Sequence, residues 1–218
     1  MGGDMKKTIL CFGDSNTHGY DNVSGGRFDT KTRWPRVLQE LLGEDFDVVE
    51  EGLSGRTTCF EDPLHEGLNA VAAIHPVLMT HEPVDLLIIM LGTNDTKERF
   101  AAPAANIAKG MERLVKKARA SADAWAPGAK IMIVAPPPIL PEYAGTEIGP
   151  DMGRDCDKKS EQLPALFQKT AELLDCEFFD AGAAAGVTMG GADFMHLTPQ
   201  AHRALAEALC AKIKALFP

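Results

Sequence analysis

Short apolar runs alternate with longer amphipathic stretches along the 218-residue chain. Five runs have the length and residue types of β-strands. They span residues 8–12, 47–49, 86–90, 131–134 and 177–179. The third run is apolar at every position, which is typical of a central parallel strand that is covered on both faces.

Helical spacing appears between and after these strands. Apolar residues recur every three or four positions over 107–118 and again over 205–216, with polar residues on the other side. The second stretch has a defined start, because Thr198 suits an N-cap and Pro199 suits the first helical position. Trp34 is interpreted as a core anchor at the start of another helix.

Alternation of strands and helices over residues 1–218 predicts one α/β domain with a doubly wound parallel sheet. Ligands bind such sheets where the carboxyl ends of the strands meet, so the residues after each strand are the candidates for chemistry. Segments 16–33 and 135–153 show no periodicity, and long ordered loops commonly act as lids or interface elements. Residues 1–6 are expected to form a flexible N-terminal extension.

Composition restricts the classes of partner and the compartment. The formal net charge is −9, which argues against nucleic acid and anionic lipid as partners, because both need a basic face. Five cysteines without a CxxC pair favour reduced thiols in a cytoplasmic protein over zinc ligands or disulfides. The apolar run near the N-terminus is too short for a signal peptide, and no run is long enough to span a membrane.

Polar residues follow the first and third predicted strands. The sequence GDSN occupies 13–16, and a serine after a flexible glycine at a strand end is a typical position for a nucleophile. The alternative is that Ser15 only caps the next segment. Asn94 follows the third strand and either offers a side-chain N–H to a ligand or forms an Asx turn.

Two other segments carry candidate chemistry. The loop at 52–58 holds two glycines that let backbone N–H groups approach a ligand. Its Arg56 either fixes the loop or meets a substrate carboxylate. Asp193 and His196 stand three residues apart before the last helix, so the carboxylate can orient the ring and leave its other nitrogen free as a base. A simple surface pair is the alternative.

These segments, in order, resemble the four sequence blocks of the SGNH (GDSL-type) hydrolases. The blocks lie at 12–15, 52–58, 92–95 and 193–196. Residues 50–58 and 88–97 are similar to the bacterial arylesterase/acyltransferase branch. The resemblance implies a three-layer α/β/α sandwich with a five-stranded parallel, flavodoxin-like sheet. It also implies a homo-oligomer and hydrolysis of small aryl or short-chain acyl esters, with acyl transfer to alcohols or peroxide and no metal or organic cofactor.

Matched block by block, the resemblance assigns a role to five residues. It makes Ser15 the nucleophile and His196 the base that Asp193 orients. It makes the oxyanion hole from the N–H groups of Ser15 and Gly55 and the amide of Asn94. Gly52 is the alternative to Gly55. Candidate substrate-binding residues around these positions are Asp14, Asn16 and Arg56.

Two residues depart from the pattern of the arylesterase/acyltransferase branch, and they bear on the expected acyl transfer. His18 and Tyr20 stand where relatives that transfer acyl groups carry bulky tryptophans, so hydrolysis is favoured over transfer. Alternatives are a carbohydrate acetyl-esterase, a lipase or thioesterase, and a non-catalytic flavodoxin-like binding module. His202, six residues after His196 on the last helix, is expected to be solvated.

Overall fold

The computed structural model describes residues 6–218. The expected N-terminal extension therefore lies, apart from Lys6, outside the described residues. The strands are β1 (Lys7–Gly13), β2 (Tyr20–Asp21), β3 (Gly26–Arg27), β4 (Phe46–Gly52), β5 (Val84–Met90), β6 (Trp125–Ala135), β7 (Glu177–Asp180), β8 (Met189–Gly190) and β9 (His196–Leu197). The α-helices are α1 (Ser15–His18), α2 (Trp34–Leu42), α3 (Ala70–Thr80), α4 (Ala104–Arg119), α5 (Gly149–Met152), α6 (Cys156–Ser160), α7 (Leu163–Leu173) and α8 (Pro199–Leu216). Short 3₁₀ helices cover Asn94–Thr96, Glu98–Phe100, Ala122–Ala124, Pro141–Gly145 and Ala181–Ala183.

One five-stranded parallel sheet organises the molecule. Its order is β4-β1-β5-β6-β7, so the strands run 2-1-3-4-5 by their order in the chain, which is the flavodoxin-like arrangement. All five predicted strands are confirmed, and so is the predicted α/β/α fold. The strand order reverses between β1 and β5, which is the place where such sheets bind ligands.

Alternate side chains of each strand pack on opposite helical layers. Leu10 and Phe12 of β1 belong to the cluster that packs on α3, α4 and α7. Ile9 and Cys11 belong to the cluster that packs on α2 and α8. This follows from the two-residue period of a strand, and it explains why β5 is apolar at nearly every position.

Both predicted helix starts are confirmed. The Thr198 side chain accepts a hydrogen bond from the Ala201 N–H at 3.2 Å, and Trp34 begins α2 fully buried. The expectation for His202 is wrong, because α8 turns this side chain toward α2. His202 is buried, its Nδ1 accepts a hydrogen bond from the Trp34 N–H at 3.3 Å, and burial lowers its pKa to about 3.

The two aperiodic segments contain short elements at the carboxyl side of the sheet. Residues 16–33 form α1 and an antiparallel hairpin of β2 and β3. Residues 135–153 include a 3₁₀ turn and α5; we call 141–153 the cap segment. Over residues 6–218, none of the helices combines the length and the apolar character that a membrane crossing requires.

Candidate active site

A sharp turn presents Ser15 at the end of β1. At Gly13 a Cβ atom would lie 2.8 Å from the Met90 carbonyl oxygen, so only glycine fits. Asp14 then caps α1, because its side chain accepts a hydrogen bond from the Asn16 N–H at 2.9 Å. Ser15 is the first residue of α1, so its own N–H has no partner within the helix.

Ser15, His196 and Asp193 form a continuous hydrogen-bond chain. The Ser15 hydroxyl lies 2.8 Å from His196 Nε2, and His196 Nδ1 lies 2.6 Å from an Asp193 carboxylate oxygen. A carboxylate only accepts, so Nδ1 carries the proton and Nε2 accepts from the serine. Burial favours a higher pKa for Asp193, but hydrogen bonds and the charge of His196 hold its pKa below the usual range. The arrangement suits a nucleophile, a base and an orienting acid.

Two further donors face the same cavity. Gly55 has a left-handed backbone with φ of +87° and lines the cavity beside Ser15. The Asn94 amide also lines it and donates one hydrogen bond to the Arg56 carbonyl at 3.3 Å. Gly52 is placed differently, since a Cβ there would lie 2.1 Å from the backbone nitrogen of His18. Gly52 thus provides close packing of β4 against α1, and the geometry favours Gly55 as the backbone donor.

The Arg56 guanidinium points into the protein. It donates hydrogen bonds to the Gly13 carbonyl at 2.9 Å and to the Glu51 carbonyl, and it lies 4.1 Å from the centre of the Phe12 ring. Burial lowers the pKa of Arg56 to about 10. These contacts tie the loop that holds Gly55 to the end of β1, which supports the loop-fixing role.

Two buried carboxyl groups lie behind the site. Asp95 accepts hydrogen bonds from the N–H of Thr58, at 2.9 Å, and from its hydroxyl. This pair joins the loop after β5 to the loop after β4. Burial raises the pKa of Asp95 to about 7 and that of Asp14 to about 6. One oxygen of Asp14 has no hydrogen-bond partner among residues 6–218.

Asn16 holds the backbone on either side of His196. Its side-chain oxygen accepts from the Leu197 N–H at 2.8 Å, and its amide nitrogen donates to the Met195 carbonyl at 3.3 Å. Asn16 thus has protein partners, as Asp14 and Arg56 do. Their assignment as substrate-binding residues stays a prediction.

The cavity in front of Ser15 has a volume of about 930 Å³. Apart from Tyr20, which the resemblance had already singled out, several of its walls come from residues without an assigned role. The hairpin contributes Tyr20, whose ring centre lies 4.8 Å from that of His196, and Asn22. The cap segment contributes Ile148 and Met152. Neither spacing nor residue type could reveal Asn22, Ile148 and Met152, because their segments have no periodicity.

The sequence matches the family described as the GDSL-like lipase/acylhydrolase family over residues 11–204. The chain belongs to this family, as the resemblance to SGNH hydrolases indicated. Membership supports hydrolase activity of the esterase or acylhydrolase kind. Comparison with curated proteins finds no match.

Solved structures of esterases are similar over nearly the whole chain. The aryl esterase of M. smegmatis shares 37% identity with a TM-score of 0.87, over 97% of this chain and 100% of that one. Est24, a carbohydrate acetylesterase from Sinorhizobium meliloti, shares 36% identity with a TM-score of 0.87 over the same proportions. A carbohydrate acetylesterase family member from the same organism shares 37% identity with a TM-score of 0.85, over 96% of this chain and 98% of that one.

Proposed function

We propose that this protein is a serine esterase that acts through an acyl-enzyme on small carboxylic esters. The observation that carries the proposal is the hydrogen-bond chain from Ser15 through His196 to Asp193, which opens on the 930 Å³ cavity. Gly55 and Asn94 line this cavity too, so donors for an oxyanion lie on the same side as the nucleophile.

The proposed reaction has two steps. His196 takes the Ser15 proton as the oxygen attacks the ester carbonyl, and Asp193 stabilises the imidazolium that forms. The oxyanion is held by the N–H groups of Ser15 and Gly55 and by the Asn94 amide. The alcohol leaves with the proton from His196, and water then repeats the sequence on the acyl-enzyme.

Aryl esters and acetylated carbohydrates are the proposed substrate classes. An aryl esterase and carbohydrate acetylesterases are among the similar structures, which supports both. Hydrolysis is proposed as the main outcome, because His18 and Tyr20 stand where relatives that transfer acyl groups carry bulky tryptophans, and Tyr20 lines the cavity. A series of acetyl, butyryl and octanoyl esters, measured with and without an added alcohol, tests acyl length and transfer together.

Replacement of the nucleophile is the decisive test. Ser15→Ala is expected to lose nearly all turnover of a short aryl acetate. A serine-directed phosphonate is expected to label Ser15 and to leave Ser54 unmodified, although Ser54 is exposed and lines the same cavity. Wild-type turnover in Ser15→Ala, or a label on Ser54, would contradict the mechanism.

A further inference from the structure

The β2–β3 hairpin contacts both members of the Asp193–His196 pair, through Asn22 and Tyr20. Its turn is fixed by Asp21, whose carboxylate accepts hydrogen bonds from the Val23 N–H at 3.0 Å and from the Ser24 hydroxyl at 2.6 Å. The backbone oxygen of Asp21 also accepts from the Gly25 N–H at 2.9 Å. The turn thus holds its second residue, Asn22, in a defined position.

The Asn22 amide bridges two points on the loop that carries Asp193. Its nitrogen donates one hydrogen bond to Oδ1 of Asp193 at 2.6 Å and another to the Gly190 carbonyl at 2.9 Å. Both amide hydrogens are therefore used. The packing is close, since a Cβ at Gly191 would lie 2.3 Å from the Asn22 oxygen.

The two oxygens of Asp193 have separate partners. Oδ2 faces His196 Nδ1 at 2.6 Å, whereas Oδ1 accepts from Asn22 and from the Met195 N–H at 3.1 Å. A carboxylate whose Oδ1 is held cannot rotate about its Cβ–Cγ bond without breaking these bonds. Donation from a neutral amide also favours its ionised form.

We propose that Asn22 is a positioning residue that acts through Asp193: it keeps Oδ2 directed at His196 and the carboxylate ionised. The proposal rests on the proposed esterase function. Asn22 comes from a segment 171 residues away in sequence, and it lies outside the four sequence blocks through which the chain resembles its family.

The first test separates positioning from substrate contact. Asn22→Ala is expected to lower kcat on a short aryl acetate about tenfold to a hundredfold, as expected for loss of a hydrogen bond to a charged group, and to leave KM nearly unchanged. Asn106→Ala is the control of the same residue type, because Asn106 is exposed on α4 and is not part of the site. A raised KM at unchanged kcat, or equal effects of the two variants, would overturn the proposal.

The second test asks whether Asn22 acts through Asp193. In an Asp193→Ala background, measured by single turnover, Asn22→Ala is expected to have no further effect on the acylation rate. A full additional loss in that background would overturn the proposal and indicate a general structural role.

The pH dependence of kcat is a third test, because a purely structural role of Asn22 would not change it. Asn22→Asp keeps the size of the side chain but places a second carboxylate against Asp193. The new carboxylate at position 22 and Asp193 repel each other when both are ionised, so the pair takes up one shared proton as the pH falls. The shared proton restores a hydrogen bond between the two side chains. The kcat of Asn22→Asp, divided by the wild-type kcat, is therefore expected to increase as the pH is lowered from 8 to 6. A constant ratio would contradict the proposal.

Ser15→Ala keeps the two hypotheses apart. If the esterase mechanism is correct and only the role of Asn22 is wrong, Ser15→Ala is inactive while Asn22→Ala behaves like Asn106→Ala. If Ser15→Ala turns over like the wild type, the proposed function fails, and the inference about Asn22 fails with it.

Discussion

At the scale of single residues, Asn94 is the proposed oxyanion donor whose role is easiest to isolate. Its amide donates one hydrogen bond to the Arg56 carbonyl and lines the cavity next to Ser15. We expect Asn94→Ala to lower kcat by about 10²–10³ and to change KM much less, because the oxyanion exists only after attack. Steady-state kinetics on an aryl acetate would measure both constants.

Asn106→Ala supplies a control of the same residue type. Asn106 is exposed on α4, and its replacement is expected to leave kcat and KM unchanged. If Asn94→Ala instead raised KM at constant kcat, Asn94 would bind the ground-state ester and would not be an oxyanion donor.

His202 predicts a pH dependence of folding stability that is independent of catalysis. Its folded pKa is about 3, because burial disfavours the charged ring, whereas the unfolded value is about 6.5. Below pH 6.5 the unfolded chain binds the proton and the folded protein does not. This residue therefore removes up to about 1.4 kcal/mol of stability for each pH unit between about 6.5 and 3.

His202→Asn removes the titration and keeps an acceptor for the Trp34 N–H. Denaturant unfolding of both proteins from pH 7 to pH 4 would measure the difference in stability. We expect the advantage of the wild type to shrink as the pH falls. The buried carboxyl groups of Asp14 and Asp95 also titrate in this range, but both proteins share them and they cancel in the difference. A pH-independent difference would contradict the buried neutral ring.

At the scale of secondary-structure elements, ion pairs fix the cap segment. Asp151 of α5 accepts from Arg99 at 2.7 Å and lies 3.4 Å from the Lys97 ammonium nitrogen. Arg99 also pairs with Asp62 at 2.9 Å. These contacts join the cap to the segment that follows Asn94. The cavity wall next to Asp151, which includes Met152, is thus attached to the segment that carries Asn94, the proposed oxyanion donor.

Met152 should therefore limit the size of the ester. It is fully buried and lines the cavity. We expect Met152→Ala to raise kcat/KM for a butyryl or octanoyl ester relative to the acetyl ester by about tenfold or more. Met111→Ala is the matched control, because this buried methionine lies on α4 in the core. Both variants are expected to lose about 2–5 kcal/mol of stability, but the control should keep the wild-type chain-length preference. An unchanged preference in Met152→Ala would exclude this wall from the substrate path.

The length of each element decides how much of it the sequence predicts. The five strands of the sheet and the final helix stood out as apolar or periodic runs, so their succession along the chain, and with it the place of Ser15 and Asn94 after strands, followed from the pattern; the order of the strands in the sheet followed from the family resemblance. The strands β2 and β3 have two residues each and show none. The contact of Asn22 with Asp193 depends on how that hairpin folds back over the sheet, which no local pattern encodes.

The sequence does not predict which single polar residues are buried, for a related reason. His202 lies on a helix whose apolar stripe was visible, but the direction in which α8 meets α2 decides whether this residue faces water. Arg56 is similar, because its loop was recognised but its hydrogen bond to the Gly13 carbonyl, 43 residues earlier, was not. In both cases the tertiary contact overrides the polar character of the side chain.

At the scale of the whole molecule, the short inventory of reactive residues limits the alternatives. The chain has five serines and six histidines. Ser15 and Ser121 each lie 2.8 Å from a histidine nitrogen, but Ser15 follows β1 at the carboxyl edge of the sheet and its histidine is paired with Asp193. Ser54 is exposed in the same cavity, which makes it the internal comparison for every labelling experiment.

The acidic charge of the molecule predicts a preference between neutral and anionic esters. The net charge is −9, and the cavity wall carries Asp193 and Glu147 against Lys97. We expect a neutral aryl acetate to have a higher kcat/KM than an acetoxybenzoate at low ionic strength, because the field of the protein repels the anion. Raising the ionic strength from about 10 to about 150 mM should increase kcat/KM for the anion and leave the neutral ester unchanged. Preference for the anion at low salt would mean that a buried cation binds the substrate carboxylate. Lys97→Met and Arg56→Met would then show which residue supplies this cation. Loss of the preference in Arg56→Met would assign Arg56 a substrate-contact role, which its hydrogen bonds to backbone carbonyls disfavour.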